Sequence, residues 1–411
     1  MRLEKFPNGF YGEIPFEQGT IVIRFGKISA SDDSLSGLLT VKLKAEGRTF
    51  NLYAGKWNCM ATRTRKELAN YLTRVTPETF EIKWSEVVEW LAQGILESYF
   101  STSPVERINP AETTEVEFLL RPLLPKGHPT LLFAPGGTGK SFVAMYIAML
   151  VQNGITFGEE TQEPQEVLYL DWEVDKREAD RRFGMFKLTF PDMDLNYPLY
   201  KRCELPLKDE IDDILQATIE NNVKLIIIDS AAPAVGGDIN DAHKILTFFQ
   251  AVRQLTTAGA SVLILTHVSK SDKKEEKRSP IGSVFFENLS RLTWELRAES
   301  PEKGTFDFAL IPRKSNFGKM EPIGLRAVFQ FDGVYFTTID SEQVVQYEID
   351  FIVYDVIKRL GEATIKEIAS YIGMRKDKLY NILTRLEKHG KIYYDDEKWK
   401  PRLVDEEYLE L

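Results

Sequence analysis

Two cysteines and four histidines in 411 residues leave this sequence without the material for a disulfide framework or a zinc cluster. Cys59 and Cys203 read as small core residues of a protein kept in a reducing, cytoplasmic compartment. Long apolar runs are also missing. The stretch at 225–228 falls far short of the roughly 20 residues a membrane-spanning helix needs, and the first residues lack the apolar centre of a secretion signal, so no membrane partner is expected. Nor is positive charge in excess: 52 Lys and Arg against 62 Asp and Glu give a net charge of −10. That balance excludes a chain coated with basic residues for nonspecific nucleic-acid binding, though not a local basic site.

What is present fits a globular chain of several domains. Hydrophobic residues make up 43% and charged residues 28%, enough to bury cores, and at about 100 to 200 residues per domain two to four are expected. Residues 1–105 alternate apolar and polar side chains in short runs (20–25, 38–44, 49–53) and turn helical over 84–99, which predicts a small β-rich α+β domain. Its Arg63, Arg65 and Lys66, near Tyr53, Trp57 and Tyr71, read either as a clamp for single-stranded nucleic acid or as a solvated helix start beside core aromatics. A Ser-, Thr-, Pro- and Glu-rich stretch without apolar period places a linker at 106–118. From 119 to 340, apolar runs at 130–134, 166–170, 224–228, 261–265 and 306–311 alternate with helical segments. That is the pattern of an α/β domain with a mostly parallel sheet and helices on both faces. Residues 345–402 change to three amphipathic helical segments and a hairpin, a further small domain, and 403–411 read as an acidic tail.

The run at 130–133 leads into Ala134, Pro135, Gly136, Gly137, Thr138, Gly139, Lys140 and Ser141, and a helical segment begins at Phe142. Strand, glycine loop and helix in this order make a phosphate loop. Glycines let consecutive N–H groups point at phosphate oxygens, and the helix start adds positive partial charge. Lys140 is expected to reach the β and γ phosphates of ATP, and the Ser141 hydroxyl to ligate Mg²⁺. The first position is Ala134, where Gly is usual.

Two further runs end in acids. The run at 224–228 leads to Asp229, expected to organise Mg²⁺, and that at 166–170 leads to Asp171, Trp172 and Glu173. Glu173 is assigned the attacking water, with Asp171 as its competitor. The run at 261–265 continues into Thr266, His267, Val268, Ser269 and Lys270, polar groups placed to sense the γ phosphate.

Together the strings APGGTGKS, YLDWE, LIIIDS, THVSK, GSVFFENLSR and RKSNFG resemble the RecA-like ATPase core of RepA-type hexameric replicative helicases, over about residues 122–336. The resemblance implies that Lys140 and Ser141 hold phosphate and Mg²⁺, that Glu173 is the catalytic base and that Asp229 is the acid of the second motif. It implies that His267 couples nucleotide state to DNA, although Thr266 replaces the family's first His. It implies an arginine finger nine residues after Gly282, at Arg291, and a second basic residue, Lys314, near a neighbour's γ phosphate; the usual Arg before Gly282 is Ile281 here. A finger acting in trans requires a ring or filament with nucleotide at the seam, a homo-oligomer that the resemblance makes hexameric.

In such a ring the loops after the third and fourth strands, 231–241 and 271–280, line the channel. The second holds Lys273, Lys274, Lys277 and Arg278, with Lys270 just before it, and suits phosphate tracking on single-stranded DNA. Near the C-terminus, Thr364 and Glu367 form a capping-box signature, and a second helix is expected over 376–389, before Gly390 and the hairpin. This order resembles a winged helix-turn-helix, whose second helix would bring Arg375, Lys376 and Lys378 to DNA or, alternatively, dock a protein. The expectation is an ATP-driven, ring-forming helicase or translocase of DNA replication, recruited by an initiator, primase or other DNA-processing partner. The alternatives are a nucleotide-switched DNA-binding or recombinase-like protein that separates no strands, and a regulatory ATPase that binds only protein.

Overall fold

The computed structural model describes residues 2–6, 9–31, 34–100, 115–157, 162–268 and 285–402. Lys270, Lys273, Lys274, Lys277, Arg278, Gly282, most of the expected linker and the acidic tail lie outside the described residues. The chain divides into two compact units, one of residues 1–115 with 209–220, the other of 116–208 with 221–411.

In the first unit β1 (Arg2–Phe6), β2 (Gly9–Phe16), β3 (Gly19–Ser31), β4 (Ser34–Ala45) and β5 (Arg48–Asn58) form an antiparallel meander in sequence order. Then come α1 (Thr62–Val75) and α2 (Trp84–Phe100). Strand alternation sends Phe10, Ile21, Ile23, Phe25, Val41 and Leu43 into one core with Leu68, Leu72, Val88 and Leu91 of the helices. Trp57 lies in that core, edge-on to Phe25 at 5.7 Å. Arg65 donates to the Cys59 and Met60 carbonyls at 3.0 Å and to Glu89 at 3.0 Å. Of the cluster expected either as a nucleic-acid clamp or as a helix start, Trp57 has no free face and Arg65 is spent on the helix start, while Arg63, Lys66 and Tyr71 are exposed.

The second unit begins with a small ladder of β6 (Phe118–Leu120) and β7 (Leu124–Pro125), followed by β8 (Pro129–Ala134), α3 (Lys140–Gln152), β9 (Val167–Asp171) and α4 (Lys176–Gly184). Then come β10 (Leu199–Arg202), α5 (Leu207–Glu220), whose residues 209–220 belong to the first unit, β11 (Leu225–Asp229), α6 (Ala231–Val235), α7 (Ala242–Thr257), β12 (Ser261–His267) and α8 (Phe285–Leu289). Four long strands follow, β13 (Leu292–Glu302), β14 (Thr305–Ser315), β15 (Ile323–Gln330) and β16 (Gly333–Ile339). They form one nine-stranded sheet in the order β10-β9-β11-β12-β8-β13-β14-β15-β16. The pairs from β10 to β13 are parallel, and those from β13 to β16 antiparallel.

The sheet is thus mostly parallel, but the run at 306–311, expected as another parallel strand, lies in an antiparallel extension. A two-residue turn, with Gly304 at φ 77°, joins β13 to β14, too short for the crossover a parallel pair needs. The expected channel loop at 231–241 is likewise corrected at its start, where residues 231–235 form α6. All five residues of β9 and of β11 are buried, as strands covered on both faces must be. The large apolar core joins Val143, Ile147 and Leu150 of α3 to Leu132, Tyr169, Ile227, Leu265, Trp294 and Phe308 of the sheet.

Helix α9 (Ser341–Leu360) packs on β13, β14 and β15. It leads to α10 (Ile365–Ile372), α11 (Lys376–Lys388) and a hairpin of β17 (Ile392–Asp395) and β18 (Lys398–Pro401). The capping box at Thr364 is formed, and α10 stops at Gly373, whose φ of 69° ends the helix. Val353, Ile357, Ile368, Leu379, Leu383 and Trp399 make a separate small core.

Candidate active site

The loop residues sit where local conformation demands them. Ala134 is the last residue of β8, fully buried and in register with His267 of β12, so Ala in place of the usual Gly meets no backbone penalty. Gly137 and Gly139 do need to be glycine, at φ 76° and 86°. A Cβ on Gly139 would also come within 3.0 Å of the Phe308 ring. Thr138 closes the loop with a hydroxyl donated to the Pro135 carbonyl at 2.9 Å, and Gly136 between them is exposed. No acid lies in the first turn of α3, so its amide end is unopposed. Phe142 is half-buried, edge-on to Phe329 at 5.0 Å and covered by the Arg182 guanidinium at 5.7 Å.

Around this loop the ends of β8, β9, β11 and β12 bring Lys140, Glu173, Asp229 and His267 together. The Lys140 ammonium donates to the Ala134 and Pro135 carbonyls at 3.1 and 2.9 Å and lies 3.4 Å from His267 Nδ1. Burial holds Lys140 below the usual lysine range, with Asp229 and Glu173 pulling it back up. Burial and the adjacent Lys140 hold His267 low, so its ring tends to neutrality. Asp229 is buried and pushed up to about 6, first by burial, then by Glu173 and Asp171, against hydrogen bonds from Tyr169 and Ser141. A buried carboxylate crowded by two others beside a serine hydroxyl is short of positive charge, so the donor set fits a hard divalent cation such as Mg²⁺.

The two acids after β9 play different parts. Asp171 is 1% exposed, and its Oδ1 accepts the Glu173 and Val174 amides at 2.8 and 3.0 Å, so it shapes the turn. Glu173 is exposed, and its Oε1 accepts the Ser230 hydroxyl at 2.8 Å. Sequence reasoning missed Ser230 and Tyr169, whose hydroxyl donates to Asp229 Oδ2 at 2.6 Å. A signal existed for Tyr169: a tyrosine in an otherwise aliphatic buried strand must find a partner for its hydroxyl.

Arg291 and Lys314 lie elsewhere. The Arg291 amide donates to the carbonyl of Pro129, the first residue of β8, at 3.1 Å, and the next residue starts β13. Lys314, in register with Thr293, donates to the Glu287, Asn288 and Ser290 carbonyls at 2.6, 3.2 and 2.9 Å. Both therefore occupy the opposite edge of the sheet from the phosphate loop. The length of β8, about 16 Å at 3.3 Å per step, separates Arg291 from the loop of its own chain, far beyond the reach of one side chain.

At the start of α11, Arg375 makes a two-pronged pair with Asp377 at 3.2 and 2.7 Å, while Lys376 and Lys378 are exposed. Among the described residues no helix is long and apolar enough to cross a membrane.

No curated protein matches this chain. Residues 97–273 match the family described as an AAA domain, a span that takes in the phosphate loop, Glu173, Asp229 and His267 and that supports nucleotide binding and ATPase activity in general.

Proposed function

We propose that this protein is an ATP-driven, ring-forming translocase on single-stranded DNA, a replicative-type helicase that hydrolyses ATP between subunits. The observation that carries the reading is the split of the expected catalytic groups between two edges of one sheet. Lys140, Ser141, Glu173, Asp229 and His267 converge at one edge, whereas Arg291 stands exposed at the other. Arg291 serves only if a second copy brings its own phosphate loop to that edge, as the head-to-tail contacts of a ring do.

The Ser141 hydroxyl and Asp229 would hold Mg²⁺, which supplies charge neutralisation on the β and γ oxygens. Amides of residues 136–140 cradle the phosphates, and Lys140 exchanges its bonds to the Ala134 and Pro135 carbonyls for phosphate oxygens. Glu173, steadied by Ser230, takes the proton of the attacking water. His267 touches Lys140 and stands at the end of β12, from which the basic segment with Lys270, Lys273, Lys274, Lys277 and Arg278 continues. A change at the γ phosphate is thereby passed to DNA. The three C-terminal helices and hairpin form a winged helix-turn-helix in this reading, with Arg375, Lys376 and Lys378 at a DNA or loading-partner surface.

The test is ATP turnover with and without single-stranded DNA, for wild type and Arg291→Ala, with mass measured under the same conditions. Strong DNA stimulation in a ring-sized species, lost in Arg291→Ala, is expected. An unstimulated monomer indifferent to Arg291 would overturn the reading in favour of a regulatory ATPase.

A further inference from the structure

The edge that bears Arg291 contains a cavity of about 340 Å³. Its floor is apolar, with Pro129, Phe249, Val252 and Leu289, and its polar lining consists of His128, Arg253, Thr256, Thr257 and Arg291. Among the described residues no Asp or Glu lines it. Arg253 projects from the last turns of α7, a different element from Arg291, and both residues are exposed. Among the described residues neither guanidinium has a carboxylate partner, although most other arginines of this chain do. Arg291 acts on both His128 and Lys314 to disfavour their charged forms, and Glu287 bears on Lys314 in the opposite sense.

Two guanidiniums, an imidazole and the Thr257 hydroxyl over an apolar floor make a receptor for a polyanion. We propose that this cleft receives the phosphate tail of a nucleoside triphosphate held by a second copy of this chain, and that Arg253 is a catalytic residue acting in trans beside Arg291. The inference rests on the shared-site reading above and deepens it. The occupant is specified by charge complementarity: the phosphate-loop edge of a neighbour carries the triphosphate and the acids Glu173, Asp229 and Asp171, and the described lining of this cleft carries two guanidiniums and no acid. Arg253 shares the transferring phosphoryl's negative charge with Arg291 while the Thr257 hydroxyl donates to its oxygens, the Thr256 hydroxyl being spent on the Arg253 carbonyl at 3.0 Å.

The experiment measures ATP turnover, KM and mass for full-length Arg253→Ala, Arg253→Lys and Arg291→Ala, each alone and mixed with Lys140→Ala. Arg253→Ala is expected to lower kcat on the order of a hundredfold with a smaller change in KM and unchanged mass. Arg253→Lys should recover part of the loss, and mixing Arg253→Ala with the inactive Lys140→Ala should restore turnover, because some seams then join an intact loop to an intact cleft. Wild-type turnover in Arg253→Ala alongside a crippled Arg291→Ala would overturn the role of Arg253 and leave the shared site standing. A loss in Arg253→Ala that mixing does not restore would place its action within its own subunit and likewise overturn the proposal. Indifference of turnover to both arginines would remove the shared site and this proposal with it.

Discussion

The two edges of the central sheet differ in how their charges are balanced. At the edge where β8, β9, β11 and β12 end, the charged groups have hydrogen-bond or charge partners within the subunit, although Asp229 stays crowded by Glu173 and Asp171. Lys140 is held by carbonyls and by the field of Asp229 and Glu173, Asp229 by Tyr169 and Ser141, Glu173 by Ser230. At the edge where β8 and β13 begin, Arg291 and Arg253 have no carboxylate partner among the described residues and share a cleft with a histidine whose charged form is disfavoured. In the proposed reading, the arginines without a carboxylate partner among the described residues at one edge and the crowded acids at the other are two halves of one site, a full strand length apart within the subunit.

Substitutions sharpen the contrast, and the largest effect is expected at the unbalanced edge. Arg291→Ala should cut kcat by about a thousandfold, the usual worth of an arginine finger, with little change in unfolding by urea, since the side chain is exposed and has no carboxylate partner among the described residues. Glu173→Gln at the balanced edge should cost about a hundredfold in kcat while nucleotide binding, followed by fluorescence of a labelled ATP, is kept. Tyr169→Phe should act on stability: losing a hydrogen bond to a buried carboxylate is expected to lower the unfolding free energy by about 2 kcal/mol, read from the denaturant midpoint.

The smallest expected effect is a titration. His128 sits below its usual 6.5, first through burial and then through Arg291. Its contribution to stability is intact above 6.5 and is lost as pH falls through the lower folded value. In Arg291→Ala the His128 resonance, followed by NMR, should titrate closer to 6.5 yet remain below it, because burial persists. A His128 titration identical in the two proteins would break the electrostatic link between the cleft residues.

The balanced edge was largely legible in the sequence because its parts are local. Glycine loop, lysine and serine follow one another, and Asp229 and Glu173 come directly at or just after strand ends. Glu173 was preferred to Asp171 from the sequence, but which carboxylate the turn consumes shows only in three dimensions. The unbalanced edge was half legible. Arg291 was named only through the family resemblance, and Arg253 and His128 were not named, because α7 and the head of β8 meet only in three dimensions. In the fold, short apolar runs announced buried strands without their direction, so the antiparallel extension from β13 to β16 emerged only with the turn at Gly304. The strands β13, β15 and β16 carry polar residues at alternate or terminal positions, and that masked them beside the continuous aliphatic runs of β11 and β12.

The most direct test of a site shared between copies is a mixing experiment with Lys140→Ala and Arg291→Ala, each inactive alone and each shown by mass to assemble. If the two edges meet at a seam, some seams of the mixed oligomer pair an intact Lys140 with an intact Arg291, and turnover rises well above that of either variant. Turnover that stays at the level of the separate variants across all mixing ratios, with mixed assembly demonstrated, would contradict the account.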